Sequence, residues 1–209
     1  MPWPPVPLRV VAGFPGRPAE CLVPHAVLAS RLPGLLLALL AFPALAEPRA
    51  PLPRTIESPR IVVRKARREL ELYSGRSILK VYRAGLGLRP VPPKERQGDR
   101  ATPEGRYVVC RKNPRSQFTL SLGLSYPNEP DADRGLATGL VTKDQHRRIV
   151  EASRAGRCPP WDTPLGGEIF IHGSGSASDW TWGCVALDDD DVRELYPRIP
   201  VGTPVVIEP

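Results

Sequence analysis

The chain has 209 residues, with 29 Lys and Arg against 22 Asp and Glu, a formal charge of +7 at pH 7. Hydrophobic residues make up 41% of it, enough for one domain with a core of its own. The positive excess suits anionic partners such as envelope polymers or membrane surfaces, but it is spread along the chain without a nucleic-acid motif, so nucleic acid is excluded as an expected partner.

Residues 1–46 read as a leader rather than as fold. Arg31 precedes the apolar block Leu35–Leu45, which is too short to span a bilayer as a mature helix. Ala44–Leu45–Ala46 then supplies a small-x-small site ahead of Glu47. This is the pattern of a secretory signal cleaved after Ala46, with a transit peptide or retained anchor as the alternatives. The Pro-rich stretch ahead of it is longer than an ordinary n-region, which points to a start downstream of Met1, near Val23 or Val27. The mature protein is expected in the periplasm or cell envelope.

Glu47 to Pro59 holds Pro48, Pro51, Pro53 and Pro59 and reads as an extended linker. The domain proper, 60–209, opens with three β-rich runs, Arg60–Lys65, Glu69–Tyr73 and Ser77–Tyr82, with Ser74–Gly75 at a hairpin turn. A polar, Pro-rich loop follows to Arg100. Thr102–Gly105 turns into a strand over Arg106–Arg111, and Thr119–Leu124 is another. Ser125 to Gly167 is long and polar. It has room for a helix over Val141–Arg154, carrying a solvated His146, and it suggests a lid or substrate wall. A buried strand is expected at Ile169–Ile171, ending at His172. The loop Gly173–Ser178 leads to a strand at Val185–Leu187, opened by Cys184. Asp188–Asp191 reads as the start of a helix over Val192–Tyr196, with a cation site as the weaker alternative, and Thr203–Ile207 as the last strand. The fold class is mainly β with one or two short helices.

Of four cysteines, Cys21 belongs to the leader. Cys110, Cys158 and Cys184 remain, and an odd count in an exported protein implies one pair and one free thiol. Cys110–Cys158 is one such pairing, leaving Cys184 free. No CxxC spacing or zinc-type cluster is present, and neither a metal nor an organic cofactor is expected.

His172 and Cys184, twelve positions apart, carry the chemistry. Two strands joined by a flexible loop can bring an imidazole to a thiol, which makes a cysteine nucleophile with its base. Gly183 leaves the approach to Cys184 open, and the backbone amides of Gly183, Cys184 and Val185 are the candidate oxyanion donors. A tether for the second imidazole nitrogen is expected from the Gly173–Ser178 loop. Asp179 either orients that base or turns the loop. The competing readings are a buried structural cysteine and a core histidine. Trp180 and Trp182 either stack on substrate or pack.

These residues resemble the signature of YkuD-type L,D-transpeptidases, in which a histidine precedes Ser/Thr–His–Gly–Cys. Here the second element is Thr181–Trp182–Gly183–Cys184. Ala101–Tyr107 is similar to the family's Thr-Pro-x-Gly-x-Tyr/Phe segment, and Leu122–Asn128, with Tyr126, to the YafK-like branch. The resemblance covers Arg60 to Glu208. It implies an L,D-transpeptidase-like β-sandwich or barrel, Cys184 as nucleophile, His172 as base, and Gly183, Thr181, Val185 and Gly173 as motif support. Trp180, Trp182 and Tyr126 become candidate substrate contacts. Two departures are Trp182 for the motif's second histidine and Ala186 for an Arg or Asn. The implied partners are peptidoglycan stem peptides. In the YafK-like branch a wall-linked lipoprotein is a further one, through hydrolysis rather than crosslinking. A non-catalytic wall-binding module is the rival from another class.

Overall fold

The computed structural model describes residues 51–209; the expected leader lies outside the described residues. Eight strands form one sheet: β1 Pro59–Arg64, β2 Glu69–Ser74, β3 Ser77–Arg83, β4 Gly105–Ser116, β5 Thr119–Leu124, β6 Phe170–His172, β7 Val185–Ala186 and β8 Pro204–Glu208. Their order is β3-β2-β1-β8-β4-β5-β6-β7. The first three pair as antiparallel neighbours, and Gly75, at φ 56°, lies in the turn between β2 and β3. The C-terminal strand β8 inserts between β1, to which it is parallel, and β4, to which it is antiparallel.

The sheet curls until its edges meet. Gly85, just past β3, bridges Ala186 in β7, each amide donating to the other's carbonyl at 2.8 Å. A Cβ on Gly85 would come within 2.4 Å of the Ser178 carbonyl oxygen, so only glycine lets the edges close. Closure removes most of the open edge. It also lays the segment after β3 against the turn holding Cys184: the Trp180 and Thr181 amides donate to Leu86 O, and Leu88 N–H to Thr181 O. Ile61, Val63, Leu70, Leu72, Leu122, Leu124 and Val205 fill the interior with no exposed surface. Each such side chain contributes about 1.5–3 kcal/mol.

Among the described residues three helices, not one or two, accompany the sheet: α1 Glu129–Ala137, α2 Lys143–Arg154 and α3 Asp189–Leu195, the last running into a 3-10 turn, Tyr196–Arg198. The first was missed within the long polar stretch, although Asn128 and Asp131 form a capping box there. The second starts from an equivalent box at Thr142 and Gln145. Together they bury Ala132, Val141, Ile149, Val150 and Leu165 in a small core of their own. The disulfide Cys110–Cys158, with Cα atoms 5.1 Å apart, ties the segment after α2 to β4.

The supposed linker also differs from expectation. Leu52 and Ile56 are buried in the main core, and Arg198 donates to the carbonyls of Leu52 and Pro53. From Leu52 onward this segment is part of the domain, because it has apolar side chains to bury.

Candidate active site

The site follows from the register of two short strands. β6 and β7 run parallel, with Ile171 opposite Val185 and His172 opposite Ala186. Alternation sends Ile171 and Val185, both wholly buried, into the core. One step back, Cys184 falls opposite Phe170, on the same face of the sheet as His172. Cys184 and His172 accordingly line one cavity of about 460 Å³, with Asn113, Ser116, Gln117, Phe118, Ser121, Glu168 and Phe170.

His172 is 2% exposed and held from three sides. Its Nδ1 lies 2.7 Å from Gly173 O. A carbonyl only accepts, so Nδ1 carries the proton and the neutral ring keeps its lone pair on Nε2. Phe118 stacks on the imidazole at 4.6 Å between centroids, and Trp180 meets it edge-on at 5.6 Å. Burial lowers the His172 pKa, and the Gly173 carbonyl works against that shift.

Cys184 is a free, half-buried thiol. Its Sγ accepts from Phe170 N–H at 3.4 Å and donates to Glu168 O at 3.5 Å. Burial pushes the thiol up to about 11; the Phe170 amide and the Lys94 cation pull it down, and Glu168 pushes it further up. Both shifts favour a neutral thiol and a neutral imidazole at rest.

The turn before Cys184 is pinned by Thr181, whose Oγ1 donates to Cys184 O at 2.8 Å and accepts from Gly183 N–H at 3.1 Å. Gly183 sits at φ 127°, and a Cβ there would lie 2.7 Å from Ala101 O. Gly173 is required for a similar reason, since its Cβ would reach Asp189 Oδ1 at 2.5 Å. Its amide donates to Phe118 O, so Gly173 supports the loop rather than an oxyanion.

Asp188 and Asp189 hold the loop that tethers His172. Asp189 Oδ1 accepts from Thr119 Oγ1 and Ser174 N–H, and Asp188 Oδ1 from Ser176 N–H and Oγ. Asp188 sits at the N-cap of α3, but its carboxylate makes no capping hydrogen bond. Among the described residues no group of His, Cys, Asp and Glu is arranged to hold a metal.

Other expectations need correction. Asp179 does not orient His172: it pairs with Arg68 through both carboxylate oxygens and accepts from Leu86 N–H. Tyr126 is wholly buried and donates its hydroxyl to Leu165 O, so it cannot touch substrate. Trp180 packs against His172 and donates its indole N–H to Gly175 O. Trp182 is 65% exposed with the Arg100 guanidinium 4.6 Å over its ring, but it does not line the cavity. None of residues 125–167 lines it either; Trp161 meets Phe170 edge-on, at 5.8 Å. His146 pairs with Asp133, joining α2 to α1.

Asn113, Ser116, Gln117, Phe118, Ser121 and Glu168 were not singled out beforehand. The first four come from an irregular extension of the β4–β5 hairpin, which continues through Pro114 by shifting its register between Asn113 and Ser116. A proline inside a strand pattern hides such an extension. Lys94 is likewise buried without a sequence signal, its Nζ bonded to Asp99 Oδ1 and Arg96 O.

Comparison with known families matches residues 58–207 to YkuD, the L,D-transpeptidase catalytic domain. Among solved structures, the chain is similar to the helical cell shape determining protein Pgp2 from Campylobacter jejuni, at 22% identity and a TM-score of 0.50, covering 73% of this chain and 48% of that one. Bd1075 from Bdellovibrio bacteriovorus is 23% identical, with a TM-score of 0.47 over 73% and 48% of the two chains. An L,D-transpeptidase from Mycobacterium smegmatis is 11% identical, with a TM-score of 0.44 over 73% and 59%. This chain thus spans less than two thirds of these structures' own length. No curated protein matches it.

Proposed function

Because the chain belongs to the YkuD family of L,D-transpeptidase catalytic domains, we propose that it is an exported cysteine acyltransferase acting on peptidoglycan stem peptides. One observation carries the reading: a thiol and an imidazole with its Nε2 lone pair available share one face of the sheet and one cavity. Export rests on the apolar block Leu35–Leu45 and the small-residue site that follows it.

Cys184 Sγ attacks the amide carbonyl on the L side of a diamino acid while His172 Nε2 takes the thiol proton. Since the resting thiol is held protonated, proton transfer accompanies attack rather than preceding it. The oxyanion faces the backbone amide of Cys184; the Gly183 amide is already engaged by Thr181. The C–N bond then breaks, the imidazolium protonates the leaving amine, and a thioester remains. An acceptor amine attacks the thioester, the C–S bond breaks, and the amine's proton returns through His172 to the thiolate. Water in place of the amine gives hydrolysis, the route by which a wall-linked lipoprotein would be released.

A second reading, wall binding without turnover, is favoured by the exposure of Trp182 under Arg100, a surface suited to stacking on a sugar or peptide. Intact-mass analysis after incubation with stem peptide separates the two. Wild type should gain a thioester adduct, and Cys184→Ala should fold and gain none. Adduct formation in the alanine variant would remove Cys184 from the mechanism. Mass spectrometry of digested wall material then distinguishes crosslinks from cut links.

A further inference from the structure

Among the described residues, Glu168 is the only acidic or basic residue lining the Cys184–His172 cavity besides the pair itself; the others are Asn, Ser, Gln and Phe. Glu168 is exposed, and its carboxylate makes no hydrogen bond or ion pair among the described residues. Two cations of this part of the fold are engaged elsewhere. Lys94 is buried against Asp99, and the Arg111 guanidinium lies over Trp161 at 5.7 Å. Its backbone is fixed relative to the nucleophile, because Cys184 Sγ donates to Glu168 O. It is also held at φ 55°, a conformation that disfavours a side chain such as glutamate and persists only where the surroundings impose it. An unpaired carboxylate held at the wall of a concave site concentrates cations there.

We propose that Glu168 is the specificity-determining residue of this site, and that its carboxylate receives the side-chain ammonium of the substrate residue whose backbone carbonyl is presented to Cys184. This rests on the acyltransferase reading and names the donor it selects: a diamino acid with a free ω-amine. The acceptor amine is the poorer fit. It must be neutral to attack, and a carboxylate partner holds an amine in its protonated form. A spectator ammonium meets no such conflict. Its arrival has a second effect. An unpaired carboxylate beside Sγ opposes the negative charge that develops on sulfur, and an ammonium bound to it cancels that opposition. The correct donor thereby eases its own attack.

The test separates the cation site from the chemistry. Cys184 is modified in the full chain with alkyl methanethiosulfonates carrying an ammonium or a sulfonate, and the rates are read by mass spectrometry on the peptide containing Cys184. The ammonium-to-sulfonate rate ratio should fall roughly tenfold or more in Glu168→Gln and should be retained in Glu168→Asp. Taking the ratio cancels any change in the thiol itself. An unchanged ratio in a folded Glu168→Gln protein overturns the proposal, whether or not the protein turns over. In the second arm, thioester formation is compared between a stem peptide with a free ω-amine and the same peptide acetylated there. Wild type should favour the free amine about tenfold, and Glu168→Gln should lose the preference. Equal acylation of both peptides by wild type overturns the proposal and leaves the acyltransferase reading standing. If neither peptide acylates Cys184, the acyltransferase reading falls and with it the donor assignment.

Discussion

His172 Nδ1 stands 2.7 Å from the carbonyl oxygen of Gly173, its own neighbour in the chain. Among the described residues no carboxylate bonds the His172 ring. The His172 tautomer is set by one backbone carbonyl, and the ring's orientation by Phe118 stacked on it and Trp180 edge-on to it. The carbonyl is itself held by the loop that Asp188 and Asp189 tie down.

Replacing His172 with Ala should lower the rate of thioester formation by about 10²–10⁴-fold, the usual range for a lost general base. The loss should shrink as pH rises, because solvent hydroxide then takes over the proton. A variant acylated at the wild-type rate at neutral pH would exclude His172 as base.

The pH response follows from two shifts of opposite sense. The Cys184 thiol is raised to about 11 in the folded protein, so alkylation by iodoacetamide should be slow near neutrality and still climbing above pH 9. Slow labelling is therefore compatible with catalysis, and thioester formation is the better discriminator. For stability, the raised thiol contributes fully below its ordinary value of 9.0, and that contribution is lost as pH rises toward 11. The lowered His172 contributes fully above its ordinary 6.5, and that contribution is lost as pH falls below it. Melting temperature against pH should show both limbs, and Cys184→Ala should flatten the alkaline one.

Gly183→Ala should be damaging on two counts, the φ of 127° and the approach of its Cβ to Ala101 O at 2.7 Å. Strain of this kind costs about 1–3 kcal/mol, which lowers Tm by roughly 2–12 °C in a chain of this size. Thermal melts measure it, and a shift below a degree would mean that the turn relaxes freely.

The two tryptophans should separate cleanly. Trp180→Ala removes a wall of the base, so acylation should slow with a fall in stability. Trp182→Ala, at a largely exposed position, should leave unfolding within about 0.5 kcal/mol of wild type. If Trp182 stacks on substrate, the variant raises KM with kcat little changed.

Loss of the Cys110–Cys158 bond, by the double serine variant, should cost about 2–5 kcal/mol. The bond closes a loop of sequence separation 48 and anchors the α1–α2 segment to β4. Denaturant unfolding in the presence and absence of reductant tests it. Equal stability under both conditions would show that this segment is held by its own small core alone.

Much of this protein was legible in its sequence because the signals are local. β-branched and aromatic runs broken by Gly and Pro mark the strands, Asp188–Asp191 marks the start of α3, and the motif around His172 and Cys184 marks the pair proposed here as base and nucleophile. The α1 cap at Asn128 is equally local, but it lies within a polar, Pro-punctuated stretch that reads as loop. What only the tertiary structure decided depends on register and closure, which bring together residues far apart in the chain. The parallel pairing of β6 with β7 places thiol and imidazole on one face. The Gly85–Ala186 bridge closes the sheet next to the turn that holds Cys184, and the shifted β4–β5 hairpin brings Asn113, Ser116 and Phe118 to the cavity. Burial then decides the protonation of Cys184 and His172 and sends Tyr126 into the core, because desolvation depends on what packs around a group and not on which residue it is.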